Sequence, residues 1–458
     1  MKIEQIYTGC LFQASYFIES NGEAAVIDPL RESSLYLEKA KETNSKIKYI
    51  FETHFHADFV SGHISLSKLT KAPIVFGPMA DTDFKSIQAY DSQEFKLGDL
   101  TIKVLHTPGH TIESTTYLLM DANRKNHSIF TGDTLFLGDV GRPDLAQENS
   151  NMNPEIQAGM LFDSIQNKIS NLSDDVIVYP AHGAGSACGK NMMKETFDTL
   201  GNQKKVNYAL NGSCSRSEFI DILTEDMLDA PEYFPQNVRL NKNGYNDLEY
   251  IIQKSHRGLD VKEFIKLNNI KNTIILDTRS PYDFSIGHIP NSYFIGLNGN
   301  FAPWVGEILK DTKTKILLIV DPGKEIEAIT RLSRVGFDNC LGYLEGGFKT
   351  WLDTNNKCEY IKNIDPESFI EIMNDVYILD VRKQSEISNS ALEHSIKISL
   401  SSLQSNFEKI DRNKKIYVHC AGGYRSMIAA SILKRNGFND IIDINRGYAG
   451  IQNCLIPC

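Results

Sequence analysis

Short apolar runs alternate with polar stretches along about the first 190 residues, and most of these runs end at a turn residue or a charged side chain. The segments EAAVID, KIKYIF, APIVFG, LTIKVLH, HSIFTGD and DVIVYPAH have the length and apolar content of β-strands. PEIQAGMLFDSIQNKIS and KNMMKETFDTLGNQKKVNYAL have helical spacing instead. The pattern predicts an α/β domain. Because a His or Asp directly follows several strands, we expect functional groups in its loops.

The second half of the chain contains a weak internal repeat. NTIILDTRSPYDF, which includes Asp277, matches DVYILDVRKQSEI, which includes Asp380, and KILLIVDPGKEIEAITRLSRVGFDN matches KIYVHCAGGYRSMIAASILKRNGFND. The two copies are separated by about the length of one small α/β domain, so we predict two homologous modules, each built around a parallel sheet. The predicted domains are residues 1–245, 258–355 and 360–458.

Composition narrows the possible classes of function. A chain of 458 residues exceeds what one hydrophobic core usually supports. The formal net charge of -10 argues against a nucleic-acid partner, since no basic surplus exists to neutralise phosphates. No apolar run approaches the roughly 20 residues of a membrane span. The eight cysteines are unevenly spaced and do not resemble a disulfide framework, so we expect no membrane partner and a reducing cytoplasm.

Four separate segments supply side chains that could bind a metal. The first, FETHFHADFVSGH, follows an apolar strand, and the segments HTPGHT, TGDTLF and YPAHG follow three others. Loops after such strands can converge at one edge of a sheet, and His and Asp are common metal ligands. We therefore predict a metal site there. Its candidate residues are His54, His56, Asp58, His110, Asp133 and His182.

The order of these motifs resembles the metallo-β-lactamase superfamily, which implies an αββα sandwich with the site at one end. In hydrolytic members such as glyoxalase II, the first motif ends in Asp-His, and that His helps to hold a second zinc. This sequence has Phe59 at that position, after Asp58. A phenylalanine cannot bind a metal, so the resemblance favours a single metal here.

Within the superfamily, about the first 240 residues most resemble the persulfide dioxygenases. The resemblance implies one iron(II) per chain, held by His54, His110 and Asp133, and two histidines with one carboxylate leave open positions as iron oxygenases require. It leaves His56, Asp58 and His182 as groups that orient ligands and solvent. Arg142, in GDVGRPDL, could bind an anionic part of the substrate, or could form a structural ion pair with Asp144.

The segment VHCAGGYRS predicts a reactive cysteine. A strand ends before Cys420, and the following residues can form a loop of inward-pointing N–H groups at the start of a helix, which stabilises a thiolate or an anionic persulfide. The stretch resembles the active-site loop of the rhodaneses, over about residues 360 to 458. The resemblance implies that Cys420 accepts sulfur, that Arg425 adds positive charge or braces the loop, and that Gly422, Gly423 and Tyr424 contact the substrate.

In the earlier repeat the position of the cysteine is taken by Asp321, in IVDPGKE. A carboxylate cannot carry a sulfane sulfur, and this loop is also shorter. We therefore predict that the middle module is an inactive rhodanese-like domain, with a spacer or docking role as a hypothesis.

Together the resemblances imply a fused enzyme of sulfide detoxification. One part would oxidise a low-molecular-weight thiol persulfide with O2 to sulfite and thiol, and the other would interconvert persulfide, sulfite and thiosulfate. The carrier thiol stays open, and the family alone suggests a homo-oligomer, either a dimer or a tetramer. Two alternatives remain: a glyoxalase II-like zinc hydrolase of thiol esters, against which Phe59 argues, and a non-catalytic sulfur carrier or sensor.

Overall fold

The computed structural model describes residues 1–144, 152–225, 227 and 230–455. The chain divides into two compact units. The first contains Met1–Tyr250 with Ser333–Gly336, and the second contains Ile251–Leu332 with Phe337–Cys458. The three domain ranges that we predicted from the sequence stay a prediction, and residues 456–458 of the third range lie outside the described residues.

The first unit contains two six-stranded sheets. One runs in the order β1 to β6 and the other in the order β12 to β7. Their strands are β1 (Lys2–Thr8), β2 (Gln13–Ser20), β3 (Glu23–Ile27), β4 (Lys46–Phe51), β5 (Ile74–Phe76), β6 (Ile87–Gln88), β7 (Glu94–Leu97), β8 (Leu100–His106), β9 (Thr115–Met120), β10 (Asn126–Gly132), β11 (Ile177–Pro180) and β12 (Asp198–Thr199).

Side chains that alternate along the strands build the layers of this unit. Tyr117 and Leu119 of β9 face the core between the two sheets, whereas Leu118 and Met120 face helices on the outside. The other sheet also carries a helix on its outer face, where Ile64 packs with residues of β5. The layers are therefore helix, sheet, sheet, helix. The helices are α1 (Ser34–Glu42), α2 (His63–Thr70), α3 (Pro154–Ser164) with a π-helical turn (Ile165–Ile169), α4 (Leu200–Val206), α5 (Arg216–Thr224) and α6 (Phe234–Asn243). The next helix, α7 (Leu248–Ser255), begins in this unit and ends in the second.

The helix predicted for KNMMKETFDTLGNQKKVNYAL is wrong over its first half, because only Leu200–Val206 is helical. The N–H groups of Lys190 and Asn191 donate to the Asp139 carboxylate at 2.7 and 2.6 Å, and the N–H of Met193 donates to a carbonyl in the same loop. These donors are therefore held by tertiary partners, which the helical spacing of the sequence does not reveal.

The second unit contains two five-stranded sheets, and all of their described strand pairs are parallel. The sheet orders are β13-β17-β16-β14-β15 and β18-β22-β21-β19-β20, so the two modules share one topology, as the repeat predicts. The strands are β13 (Gly258–Leu259), β14 (Thr273–Asp277), β15 (Tyr293–Phe294), β16 (Lys315–Ile319), β17 (Cys340–Leu344), β18 (Lys362–Ile364), β19 (Tyr377–Asp380), β20 (Ile396–Lys397), β21 (Ile416–His419) and β22 (Ile441–Ile444).

Helices accompany both of these parallel sheets, as crossover connections require. They are α8 (Val261–Asn268), α9 (Pro281–Ile286), α10 (Phe301–Leu309), α11 (Glu325–Arg334), α12 (Gly347–Asp353), α13 (Pro366–Ile370), α14 (Gln384–Asn389), α15 (Tyr424–Arg435) and α16 (Gly447–Leu455), with 3-10 turns at Leu400–Ser405 and Phe407–Lys409. None of the helices in the described ranges combines the length and apolar character that a membrane crossing requires.

Candidate metal centre and reactive cysteine

The buried carboxylate of Asp28 fixes the start of the loop that follows β4. The Thr53 N–H and hydroxyl donate to the two oxygens of Asp28, each at 2.8 Å. The Thr53 oxygen also lies 3.0 Å from Nδ1 of His54. Since this hydroxyl already donates to Asp28, it accepts a hydrogen bond from the Nδ1–H of His54, which leaves the ring's lone pair on Nε2.

Three of the predicted ligands converge at the end of the sandwich. Nε2 of His54 lies 3.8 Å, and Nε2 of His110 lies 3.5 Å, from Oδ2 of Asp133. Nδ1 of His110 donates to the carbonyl of Arg142 at 2.8 Å, so its Nε2 also carries a lone pair toward the centre. These three buried side chains form one of the three groups within the described residues that could hold a metal ion.

Unsatisfied atoms indicate that this group fits a metal. Nε2 of His110 and Oδ2 of Asp133 are buried and have no hydrogen-bond partner among the described residues. Leaving such atoms unpaired costs free energy, which a coordinated cation would offset. Two imidazoles and one carboxylate suit a divalent transition metal and leave positions for exogenous ligands.

His182 and Asp58 lie beside this group and are bridged to it. Nδ1 of His182 lies 2.7 Å from Asp133 and Nε2 lies 2.9 Å from Asp58. Burial favours a neutral ring, but the two carboxylates raise the pKa of His182 well above its usual value. Burial likewise opposes ionisation of Asp133, yet His182 holds the pKa of that carboxyl well below its usual range. The two hydrogen bonds of the ring therefore fix the orientations of His182 and Asp133 relative to each other.

The Nε2 atom of His56 faces a different pair of carboxylates, Asp28 and Glu52. Its Nε2 lies 3.1 Å from Asp28 and 3.6 Å from Glu52, away from the group of His54, and its ring packs on Phe59 at 4.4 Å between centroids. Phe59 is fully buried. Neither ring nitrogen of His56 has a hydrogen-bond partner among the described residues, and His56, Asp28 and Glu52 form a separate buried group whose atoms lie within ligand distance of one another.

Arg142 forms the structural ion pair that was one of its two predicted roles. Its guanidinium donates to both carboxylate oxygens of Asp144, each at 2.6 Å. Such a planar two-bond pair fixes the side chain. Through its carbonyl, the same residue orients His110. The backbone carbonyl of Arg142 thus orients one of the candidate metal ligands. A role of Arg142 in substrate binding stays a prediction.

Cys420 follows β21 and faces the start of α15. The N–H of Gly423 donates to its sulfur at 3.1 Å, and the sulfur lies 3.6 Å from the Ser426 hydroxyl. Gly423 has φ of 101°, a left-handed conformation that favours glycine and turns its N–H inward. Because the cap of a helix favours negative charge, this arrangement stabilises a thiolate or persulfide.

Two ion pairs brace the loop around Cys420. Arg425 donates to both carboxylate oxygens of Glu386 at 2.6 and 2.7 Å, which corresponds to the bracing role among its predicted alternatives. Arg382 forms a buried bidentate pair with Asp380 and stacks over Tyr448 at 3.8 Å. These contacts fix the backbone on which the cysteine sits.

A cavity of about 420 Å³ opens beside this loop and is shared by both modules of the second unit. Tyr424 closes one side, and its hydroxyl donates to the carbonyl of Gly296 in the middle module at 2.7 Å. The middle module thus provides part of the wall, although Asp321 replaces its cysteine. The lining residues are Arg279, Ser280, Pro281, Tyr282, Ser285, Gly296, Asn298, Asn363, Gly422, Gly423, Tyr424, Met427, Asp443, Asn445 and Arg446.

The sequence analysis missed Asp443 and Ser426. Asp443 lies in β22, is buried and lines this cavity, and the Ser426 hydroxyl lies 3.6 Å from the Cys420 sulfur. A carboxylate inside the otherwise apolar strand IIDI is the signal that would have found it, since buried charges are rare without a role.

Comparison with known proteins matches each half of the chain to a family model. The model of the metallo-beta-lactamase superfamily matches residues 8–182, and the model of the rhodanese-like domain matches residues 260–354 and 365–454. The crystal structure of a metallo-beta-lactamase from Staphylococcus aureus subsp. aureus COL is 32% identical, with a TM-score of 0.66 over 75% of this chain and 98% of that one. The chain belongs to the metallo-β-lactamase superfamily. Two rhodanese-like domains follow in this superfamily member, which confirms the predicted fold class and the predicted fusion.

Curated relatives of this superfamily member include two kinds of enzyme. A hydroxyacylglutathione hydrolase from Tolumonas auensis is 33% identical over 171 residues, which are 36% of this chain and 60% of that protein. The mitochondrial persulfide dioxygenase of Homo sapiens is 28% identical over 241 residues, which are 50% of this chain and 84% of that protein. The chain spans about 60% of the length of the first two curated relatives. These similarities support an enzyme with a metal site. They leave a hydrolase and a persulfide dioxygenase as the two candidate classes of enzyme.

Proposed function

We propose that the protein is a persulfide dioxygenase fused to a rhodanese-type sulfurtransferase. The first activity converts a thiol persulfide, O2 and water to the thiol, sulfite and protons. The observation that carries this proposal is the group of His54, His110 and Asp133, three ligands rather than more, with Phe59 next to Asp58. A three-ligand face leaves room for two further ligands, as a dioxygenase needs.

The chain's own residues prepare this site for the reaction. Iron(II), when bound by His54, His110 and Asp133, would supply the redox chemistry that activates O2 toward the persulfide. The Arg142 carbonyl fixes the tautomer of His110, and the His182 ring fixes Asp133 through a 2.7 Å hydrogen bond. Burial of all three ligands keeps bulk water away from the reacting groups.

Cys420 performs the second activity. Its sulfur attacks the outer sulfur of a persulfide or thiosulfate, the S–S bond of the donor breaks, and a thiolate or sulfite leaves with the electron pair. The Gly423 N–H, 3.1 Å from the sulfur, stabilises the negative charge of the resulting Cys420 persulfide. The cavity beside the loop is wide enough for a small-molecule donor.

A thiolester hydrolase of the glyoxalase II kind is the second candidate. One observation favours it: Asp58, His182 and Cys188 form another buried group within ligand distance of one another. A second zinc there would have to replace the contact of 2.9 Å between His182 and Asp58. The dioxygenase needs no such change, so we favour it.

Parallel assays on one preparation distinguish these candidates. We expect protein loaded anaerobically with iron to contain one iron per chain and to consume O2 with glutathione persulfide or coenzyme A persulfide. Hydrolysis of a glutathione thiolester by a form with two zincs per chain, without O2 uptake, would favour the hydrolase. A sulfur carrier or sensor would turn over neither substrate. The cytoplasmic location and the homo-oligomeric state remain predictions.

A further inference from the structure

Asp443 presents an unpaired hydrogen-bond acceptor at the cavity beside the Cys420 loop. Its side chain is 3% exposed and lines the cavity of about 420 Å³. The Oδ1 atom of this carboxyl has no hydrogen-bond partner among the described residues. Burying a carboxylate in this state costs free energy, which a hydrogen-bond donor bound in the cavity would offset.

The arginines that line the same cavity are already engaged. Arg279 donates to Asp277 at 2.6 Å, and Arg446 donates to Glu367 at 2.6 Å. Both positive charges of the lining therefore have carboxylate partners of their own, whereas ionised Asp443 adds a negative charge. A cavity with this balance of charge favours a positively charged group over a second anion.

A bound cation would also decide the charge of Asp443. Burial raises the pKa of this carboxyl to about 7, and an adjacent positive group would lower the pKa and stabilise the ionised form at neutral pH. The side-chain amides of Asn298, Asn363 and Asn445 line other parts of the cavity and supply donors and acceptors for the rest of a small ligand.

The distance from Asp443 to the reactive cysteine suits a short substrate. Asp443 pairs with Val418 of the neighbouring strand β21, and Cys420 follows Val418 by two residues. Adjacent strands lie about 4.8 Å apart and two residues of a strand span about 6.6 Å, so roughly 8 Å separates the Cα atoms of Asp443 and Cys420. This span fits a transferred sulfur atom, a thiol and an amino group two carbons away from that thiol.

We propose that Asp443 selects small thiol substrates that carry an amino group near the thiol, by pairing with their ammonium group. This inference rests on the proposed sulfurtransferase function of Cys420. In the transfer step the substrate thiol loses its proton to water, and its sulfur attacks the outer sulfur of the Cys420 persulfide. A new S–S bond forms, the S–S bond to Cys420 breaks, and the Cys420 thiolate leaves with the electron pair. In the reverse direction, the same pairing selects persulfide donors that carry an amino group.

Sulfur transfer from thiosulfate to three small thiols tests this pairing. Cysteamine carries an ammonium group, mercaptoethanol carries a hydroxyl, and mercaptopropionate carries a carboxylate. Asp443→Asn keeps the shape of the side chain and removes its charge. We expect this variant to lower the ratio of kcat/KM for cysteamine to that for mercaptoethanol by roughly tenfold to a hundredfold, mainly through a higher KM for cysteamine. The kcat/KM for mercaptopropionate should rise, because a repulsive charge is removed.

Asp440→Asn is the matched control, at an exposed position just before the same strand, and should keep the wild-type ratio. A measurement on wild type alone covers the case in which Asp443→Asn folds poorly. S-Methylcysteamine, which cannot accept sulfur, should compete with cysteamine, whereas its hydroxyl analogue should compete at least tenfold more weakly. Equal inhibition by the two analogues, or an unchanged ratio in a folded Asp443→Asn protein, would overturn the inference. If Cys420→Ser keeps sulfurtransferase activity, the proposed function itself is wrong, which is a separate outcome.

Discussion

The contact of the middle module with the catalytic loop allows a sharp prediction for Gly299→Ala. A Cβ at position 299 would lie 2.3 to 2.7 Å from three ring carbons of Tyr424, whereas carbon atoms pack at about 3.5–4.0 Å. The ring cannot move freely, because its hydroxyl is hydrogen-bonded to Gly296 and its edge meets Phe294. Tyr424 begins α15, directly after the Gly423 N–H that holds the Cys420 sulfur.

The expected magnitude follows from this overlap. Overpacking by one methyl group in a well-packed contact costs about 1–3 kcal/mol. If that strain displaces the loop, sulfur transfer from thiosulfate to cyanide should fall by about fivefold to a hundredfold in kcat/KM. Oxygen uptake with a persulfide should not change, because the proposed iron ligands lie in the other unit. The sulfurtransferase assay and an oxygen electrode measure both effects on one sample.

Two controls separate displacement of Tyr424 from general damage. Gly258→Ala lies in the same module and would meet only the flexible Glu345 side chain at 3.3 Å, so it should leave both activities intact. In a Tyr424→Ala background the ring is absent, and Gly299→Ala should then have no further effect. Full sulfurtransferase activity in a folded Gly299→Ala protein would refute the idea that the middle module shapes the loop.

Three further predictions concern the two sites. His110→Ala should abolish iron retention and oxygen uptake but keep sulfurtransferase activity; normal iron content by metal analysis would remove His110 from the ligand set. Phe59→His should raise the affinity for a second metal in zinc titrations, and tight binding of two zincs by wild type would defeat the argument from Phe59. Cys420→Ser should lose sulfurtransferase activity, retain persulfide oxidation and form sulfite in place of thiosulfate. Adding Asp321→Cys should not rescue it, and mass spectrometry of persulfide-treated protein should find the added sulfur on Cys420 alone.

The sequence predicts the fold well because each layer leaves a local pattern. The apolar runs before His54, His110, Asp133 and His182 are strands, and the internal repeat corresponds to two parallel sheets with one order. Where a pattern depends on distant partners, prediction fails. The segment after Cys188 has helical spacing, yet the Asp139 carboxylate holds its N–H groups in a loop.

The candidate sites were predictable as residue types but not as orientations. Spacing alone does not reveal that His56 turns toward Asp28, or that the Arg142 carbonyl orients His110. These choices depend on side chains from other strands. The contact of Tyr424 with Gly296 is likewise invisible in the sequence, because the two residues lie in different modules and are 128 positions apart along the chain.

The most direct test of the central claim is the stoichiometry of oxygen and sulfite in iron-loaded Cys420→Ser protein. This variant removes the sulfur-accepting thiol, so sulfite formed in the first unit cannot be converted to thiosulfate at Cys420. With glutathione persulfide or coenzyme A persulfide as substrate, we expect O2 consumed and sulfite formed in equal amounts, and no activity after the iron is chelated. Sulfite formation without O2 consumption, or no oxidation of any persulfide by protein that retains its iron, would contradict the account.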